Sequence, residues 1–136
     1  MTEEASGVRP GLIGEAEMAV TEAVSAAHLG SGNVHVLGTP SLILLMEKAT
    51  VSAVDPHLPS DQVSVGVRVD VSHLAATPLG MEAKAWAEVI DVVDRRVILQ
   101  VEAYDEVEKI GEGTIHRVIV DRGRFTEHVA QKLSTG

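Results

Sequence analysis

Three side chains in this sequence combine acid–base or nucleophilic chemistry with positions that packing alone does not explain. Glu47 interrupts a run that reads Leu42, Ile43, Leu44, Leu45, Met46 before it and Ala49, Val51, Ala53, Val54 after it. A carboxylate left unpaired in such surroundings costs on the order of several kcal/mol, so it must be paired, neutralised or reached by water. Expensive carboxylates gather at functional sites; the plainer alternative is a narrow exposed stripe shared with Lys48. His73 shares the odd parity of Val63, Val65, Val67, Val69 and Val71, and so projects from the face that packs on the core. An imidazole there is either a proton carrier or a satisfied core histidine. Thr39 stands before Pro40, the arrangement of a helix cap followed by a Pro at the first helical position. Its hydroxyl and the amides after it also suit an anion or an oxyanion.

The remaining polar residues offer less. His28, His35, His57, His116 and His128 show no metal-ligand spacing, so no metal site is expected. There is no Gly-x-Ser-x-Gly elbow and no phosphate-cradling glycine loop. Gly66 breaks the valine alternation and reads as a bulge or as a close approach of backbone to a ligand. Gly111-Glu112-Gly113 reads as a strand irregularity.

The elements that must hold these residues follow from periodicity. With 136 residues, the chain is expected to form one domain over residues 11–136 behind a short flexible polar lead-in, residues 1–10. A helix is predicted from Pro40 to about Val54, ended by Asp55-Pro56 and Pro59-Ser60. It is apolar around most of its circumference, which implies burial on several sides and, in a chain this short, a partner copy. Alternation from Gln62 to His73 predicts a strand. Two more follow through Met81, Ala83, Ala85, Ala87, Val89 and through Val97, Leu99, Val101, Ala103, and a last apolar stretch runs from Ile115 to Val120. Glu15 to Ala27 is ambiguous, alanine-rich like a helix but alternating like a strand. The expected class is α+β, an antiparallel β-sheet wrapped around one long central helix. Aromatics are only 2% of the residues, so Val, Ala, Leu and Ile must form the core.

A formal charge of −9 without a basic run argues against nucleic acid, and no apolar run approaches the roughly 20 residues of a membrane span. Cysteine is absent and the first residues are acidic, so a cytoplasmic protein without disulfides or a secretory signal is expected.

These motifs carry a family resemblance. Gly38-Thr39-Pro40, Leu45-Met46-Glu47, His73-Leu74-Ala75-Ala76-Thr77-Pro78-Leu79-Gly80, Gly111-Glu112-Gly113-Thr114 and His116-Arg117 together resemble the hotdog-fold acyl-CoA thioesterases, in particular the fluoroacetyl-CoA thioesterase family. The resemblance covers nearly the whole chain. It implies the hotdog fold, hydrolysis of an acyl-CoA to free acid and CoA, a homodimer or dimer of dimers, and no cofactor, CoA being part of the substrate. It carries the catalytic set onto Thr39, Glu47 and His73: Glu47 would attack the thioester or activate water, His73 would act as acid or base, and Thr39 would position the acyl group or the carboxylate. It also puts Gly66 beside the thioester, Arg117 near the CoA phosphates, Asn33 and Val36 at the substrate pocket, and makes Glu15 to about Val24 the first strand. Gly30 and Asn33 stand where the fluoroacetyl enzyme has aromatic residues, so a short-chain substrate is expected without an aromatic lid. A hotdog hydratase or dehydratase and a non-catalytic acyl-CoA-binding dimer are the other readings. Thr39 and Glu47 are eight residues apart, about 12 Å along a helix, too far to share a hydrogen bond within one subunit. A site shared between two chains accommodates both.

Overall fold

In the computed structural model, which describes residues 7–135, every second residue of the central strands turns inward. Strand β1 spans Ile13–Ala19, β2 Gln62–His73, β3 Glu82–Val93, β4 Arg96–Tyr104 and β5 Lys109–Asp121. Ala83, Ala85, Ala87 and Val89 of β3, with Val97, Leu99, Val101 and Ala103 of β4, are buried to within 1% exposure. The sheet is antiparallel throughout, in the order β1-β3-β4-β5-β2. A short helix α1 (Ala26–Leu29) precedes the long helix α2 (Thr39–Val54), and two helices, α3 (Arg122–Ala130) and α4 (Lys132–Thr135), follow β5.

Helix α2 lies across the inner face of the sheet, chiefly over β1 and β3. Its buried side, Leu42, Leu45, Met46, Ala49, Ala53 and Val54, meets the small residues of β3, and alanine-sized neighbours let it sit close. Closest is Gly14 of β1, where a Cβ would overlap the Ala49 carbonyl oxygen and the Ala53 nitrogen. No aromatic joins this core; Tyr104 and Phe125 are each 41% exposed. The other side of α2 stays open in the single chain, with Leu44 47% and Val51 37% exposed beside Lys48. Burial on several sides is therefore not achieved by one chain alone.

Two expectations need revision. The first strand stops at Ala19 instead of running to Val24, because residues 22–24 form a 3₁₀ turn and Ser25 caps α1, its Oγ accepting from the His28 amide at 3.1 Å. The lead-in is anchored over its described part: Val8 is buried against the core, while residues 1–6 lie outside the described residues. Gly111-Glu112-Gly113 lies within β5 and is irregular there as expected: its register with Val71, Ser72 and His73 of β2 is continuous, but on the β4 side it shifts between Ala103 and Tyr104, leaving Ile110 as the extra residue, and Gly113 has φ +155°.

Another irregularity sits at Gly66, in agreement with the bulge reading. The register of β2 on β5 shifts between Gly66 and Arg68, with Val67 as the extra residue. Before the shift the even residues face inward, Ser64 opposite Ile119 and Gly66 opposite Arg117. After it the odd residues do, Val69 opposite Ile115 and His73 opposite Gly111. Val63 and Val65 thus lie on the outer face, contrary to simple parity, while His73 keeps its inward direction.

Gly14→Ala is expected to destabilise the protein by about 1–3 kcal/mol, since overpacking forces β1 and α2 apart. Gly123→Ala, where a side chain meets open space within α3, is expected to be neutral or slightly stabilising. Denaturant midpoints measure both; an unchanged midpoint for Gly14→Ala would show that α2 does not rest on β1.

Candidate active site

Thr39 is the first residue of α2 and not its cap. Gly38, extended at φ −76° and ψ 147°, holds the cap position, and no side chain caps this end. Freed from the helix end, the Thr39 hydroxyl lies 2.8 Å from Nδ1 of His73, which the inward parity at the end of β2 brings across to it. The two line a shallow open cleft of about 350 Å³ with Leu74, Ala75 and Ala76. His73 Nε2 is buried and has no hydrogen-bond partner among the described residues. Burial pushes the His73 pKa down, with the Ala75 backbone opposing, so the ring is neutral at neutral pH. With Nδ1 bonded to Thr39, Nε2 is the ring nitrogen left to give or take a proton.

Glu47 lies two turns further along α2, at the border between the open stripe and the sheet. Its side chain is 35% exposed, and Oε2 stands 3.9 Å from Nη1 of Arg117. That separation is an ion-pair contact without a hydrogen bond, so both carboxylate oxygens keep free lone pairs. Oε2 faces Gly66 so closely that a Cβ there would stand 2.7 Å from it.

Arg117 departs from its expected place at the CoA phosphates. Its side chain is 7% exposed, and its donors are committed inside: Nε to Ser64 Oγ at 2.7 Å, Nη2 to the Ser64 carbonyl at 2.8 Å, Nη1 to Thr50 Oγ1 at 3.3 Å. Ser64 Oγ in turn donates to Asp55 Oδ1 at 2.5 Å. Burial pulls the Arg117 pKa down, while Asp55 and Glu47 oppose the shift. A guanidinium enclosed in this way holds Glu47 and the end of α2 and has no surface to offer a phosphate. Its parity with Ile115 and Ile119 in β5, both buried, was the available signal. Ser64, Thr50 and Asp55, which complete this cluster, carry no functional signal in the sequence; Asp55 reads only as a helix end, and the parity of Ser64 is reversed by the bulge in β2.

The structure therefore joins Thr39 with His73, and Glu47 with Gly66 and Arg117, but does not join the two groups. Asn33 is exposed in the turn before the long helix, and Val36 is half-buried, bridging to Pro78; neither lines the Thr39–His73 cleft.

A five-stranded antiparallel sheet curled around one long helix is the hotdog architecture, and solved structures agree. A fluoroacetyl-CoA-specific thioesterase structure superposes with a TM-score of 0.85 at 32% identity, covering 93% of this chain and 98% of its own. A thioesterase-superfamily member from Thermus thermophilus gives 0.84 at 28% identity, covering 94% of each chain. The fluoroacetyl-CoA thioesterase of Streptantibioticus cattleyicolor is 38% identical over 101 residues, 74% of this chain and 73% of that protein. The model of the fluoroacetyl-CoA-specific thioesterases matches residues 20–123, and the chain belongs to that family.

Gly66→Ala is expected to displace the Glu47 carboxylate, since a methyl group fits the extended backbone but not the space beside Oε2. Thioester hydrolysis should fall by about tenfold or more with little change in melting temperature, a misplacement effect. Unaltered kinetics in a folded variant would remove Glu47 and Gly66 from the reacting centre.

Proposed function

We propose that this acyl-CoA thioesterase hydrolyses short-chain acyl-CoA substrates in the cytoplasm, at a site built from Glu47 of one subunit and the Thr39–His73 pair of another. The observation that carries the reading is the division of the three residues into two groups that do not meet within one chain. A second copy also answers the open stripe of α2 and the unpaired edge of the 12-residue strand β2. Glu47 attacks the thioester carbonyl directly or through a water, with its oxygens free and Arg117 holding its charge. His73 Nε2 relays the proton, and Thr39 fixes the ring. The amides at Gly66 or at the start of α2 stabilise the developing oxyanion. The reaction needs no cofactor.

The exposed turn Gly30-Ser31-Gly32-Asn33 offers polar surface where an aromatic wall would select a small halogenated acyl group. Discrimination among small apolar groups is worth only ~1–3 kcal/mol per contact, so the enzyme is expected to favour fluoroacetyl-CoA little over acetyl-CoA and to accept longer acyl groups. A panel of acetyl-, fluoroacetyl-, propionyl-, butyryl- and aryl-CoA with a thiol-detecting reagent tests it. Free thiol supports hydrolysis; a hydrated acyl chain without thiol, or retained ligand without turnover, would replace the reading with a hydratase or a binding protein.

Glu47→Gln and His73→Ala are each expected to lower kcat by about 10²-fold or more while the fold persists. Near-normal turnover in Glu47→Gln would return it to an exposed helix residue. Because burial lowers the His73 pKa below its ordinary 6.5, the neutral ring survives to lower pH, and activity should fall on the acid side with a midpoint below 6.5. A midpoint above 6.5 would contradict His73 as the buried proton carrier.

A further inference from the structure

We propose that Arg68, Arg96 and His116 form an anion subsite on the outer face of the sheet that takes the phosphorylated adenosine end of the CoA thioester. The inference rests on the thioesterase reading and relocates the phosphate contact that enclosed Arg117 does not provide. The three residues come from adjacent strands β2, β4 and β5. Arg68 is paired in register with His116, and Arg96 Nη1 donates to His116 Nδ1 at 2.9 Å. That bond leaves Nε2 of His116 carrying the proton as an outward donor, beside the two guanidinium groups. With Val67 they line a concavity of about 550 Å³.

The charge of this patch is nearly uncompensated, in a chain whose formal net charge is −9. Asp70 reaches Arg68 only at 4.0 Å, with both side chains well exposed, a contact of little worth. The His116 pKa is lowered by burial and by the positive charge of Arg96 and Arg68, the effect that a bound anion would relieve. Two guanidinium groups and an imidazole N–H match the acceptors of phosphate esters, and Val67, 48% exposed, offers an apolar contact for a base.

Position ties the patch to the reacting centre. Gly66 faces Glu47 on the inner side; Arg68, immediately past the bulge, faces outward. Two steps of chain at the sheet edge thus separate the carboxylate from the cationic patch, and an extended thioester with a charged tail has a partner on each side of β2.

The test compares acetyl-CoA with the acetyl thioester of N-acetylcysteamine, which has the reactive group but no nucleotide. Arg68→Ala and Arg96→Ala are each expected to lower the ratio of kcat/KM for acetyl-CoA over the truncated thioester by about tenfold, mainly through KM. Arg9→Ala, which removes an equal charge elsewhere, should keep the ratio of the unaltered protein. Calorimetry with adenosine 3′,5′-bisphosphate, which carries no thioester, should show binding to the unaltered protein and its loss in the double variant Arg68→Ala/Arg96→Ala. Unchanged ratios, or equal bisphosphate binding by the double variant, would overturn the subsite even if both thioesters are hydrolysed. Bisphosphate binding that is lost in the double variant would uphold the anion site even if no thioester were hydrolysed, an outcome that overturns only the thioesterase reading.

Discussion

The extra residue at Val67 is the constraint on which the rest of the arrangement depends. A β-strand alternates its faces strictly, and a strand without a bulge could not place both Gly66 and His73 inward. Inserting one residue between them resolves the conflict. Ser64 and Gly66 face Arg117 and Glu47, His73 reaches Thr39, and Arg68 is turned outward to His116. One local disruption of pairing thus sets the direction of both halves of the site and of the cationic patch behind it. Its location on β2, an edge strand of the protomer, allows the disruption without breaking a ladder on both sides.

The second organising feature is the enclosed Arg117. Burying a guanidinium is unfavourable unless its donors are matched, and here Ser64, Thr50, Asp55 and Glu47 surround it. The cluster sits where α2, centred over β1 and β3, leaves the β5–β2 side of the sheet less covered. Polar contacts replace apolar packing at that side, and they hold the carboxylate beside Gly66 without consuming its oxygens. Thr39 and His73 lie at the start of α2 and Glu47 at its middle, so about two turns of helix separate the two groups in a single chain.

Much of this was legible in the residues. Period-two alternation marked β2, β3 and β4, Pro40 marked the helix start to within one residue, and an apolar helix with a lone carboxylate marked Glu47. What escaped depended on non-local contacts. Thr39 read as a cap because Thr-Pro favours one, yet Gly38 took that position and His73 took the hydroxyl. The end of β1 was missed because the Ser25 cap competes with strand continuation. The resemblance put Arg117 near the CoA phosphates, whereas its alternation with Ile115 and Ile119 pointed inward. The open side of α2 was legible only as a stripe beside Lys48, since a sequence records apolarity and not which chain will cover it.

The central claim is that one reacting centre draws Glu47 from one subunit and Thr39–His73 from another. Co-expression of differently tagged Glu47→Gln and His73→Ala chains, followed by isolation of the mixed dimer, tests it directly. In a two-fold symmetric pair, one of the two centres then carries both substitutions and the other carries neither. The account predicts that the mixed dimer regains about half the hydrolytic rate of the unaltered dimer, although each parent homodimer is nearly inactive. A mixed dimer as inactive as its parents would place all three residues' action within a single chain and contradict the account.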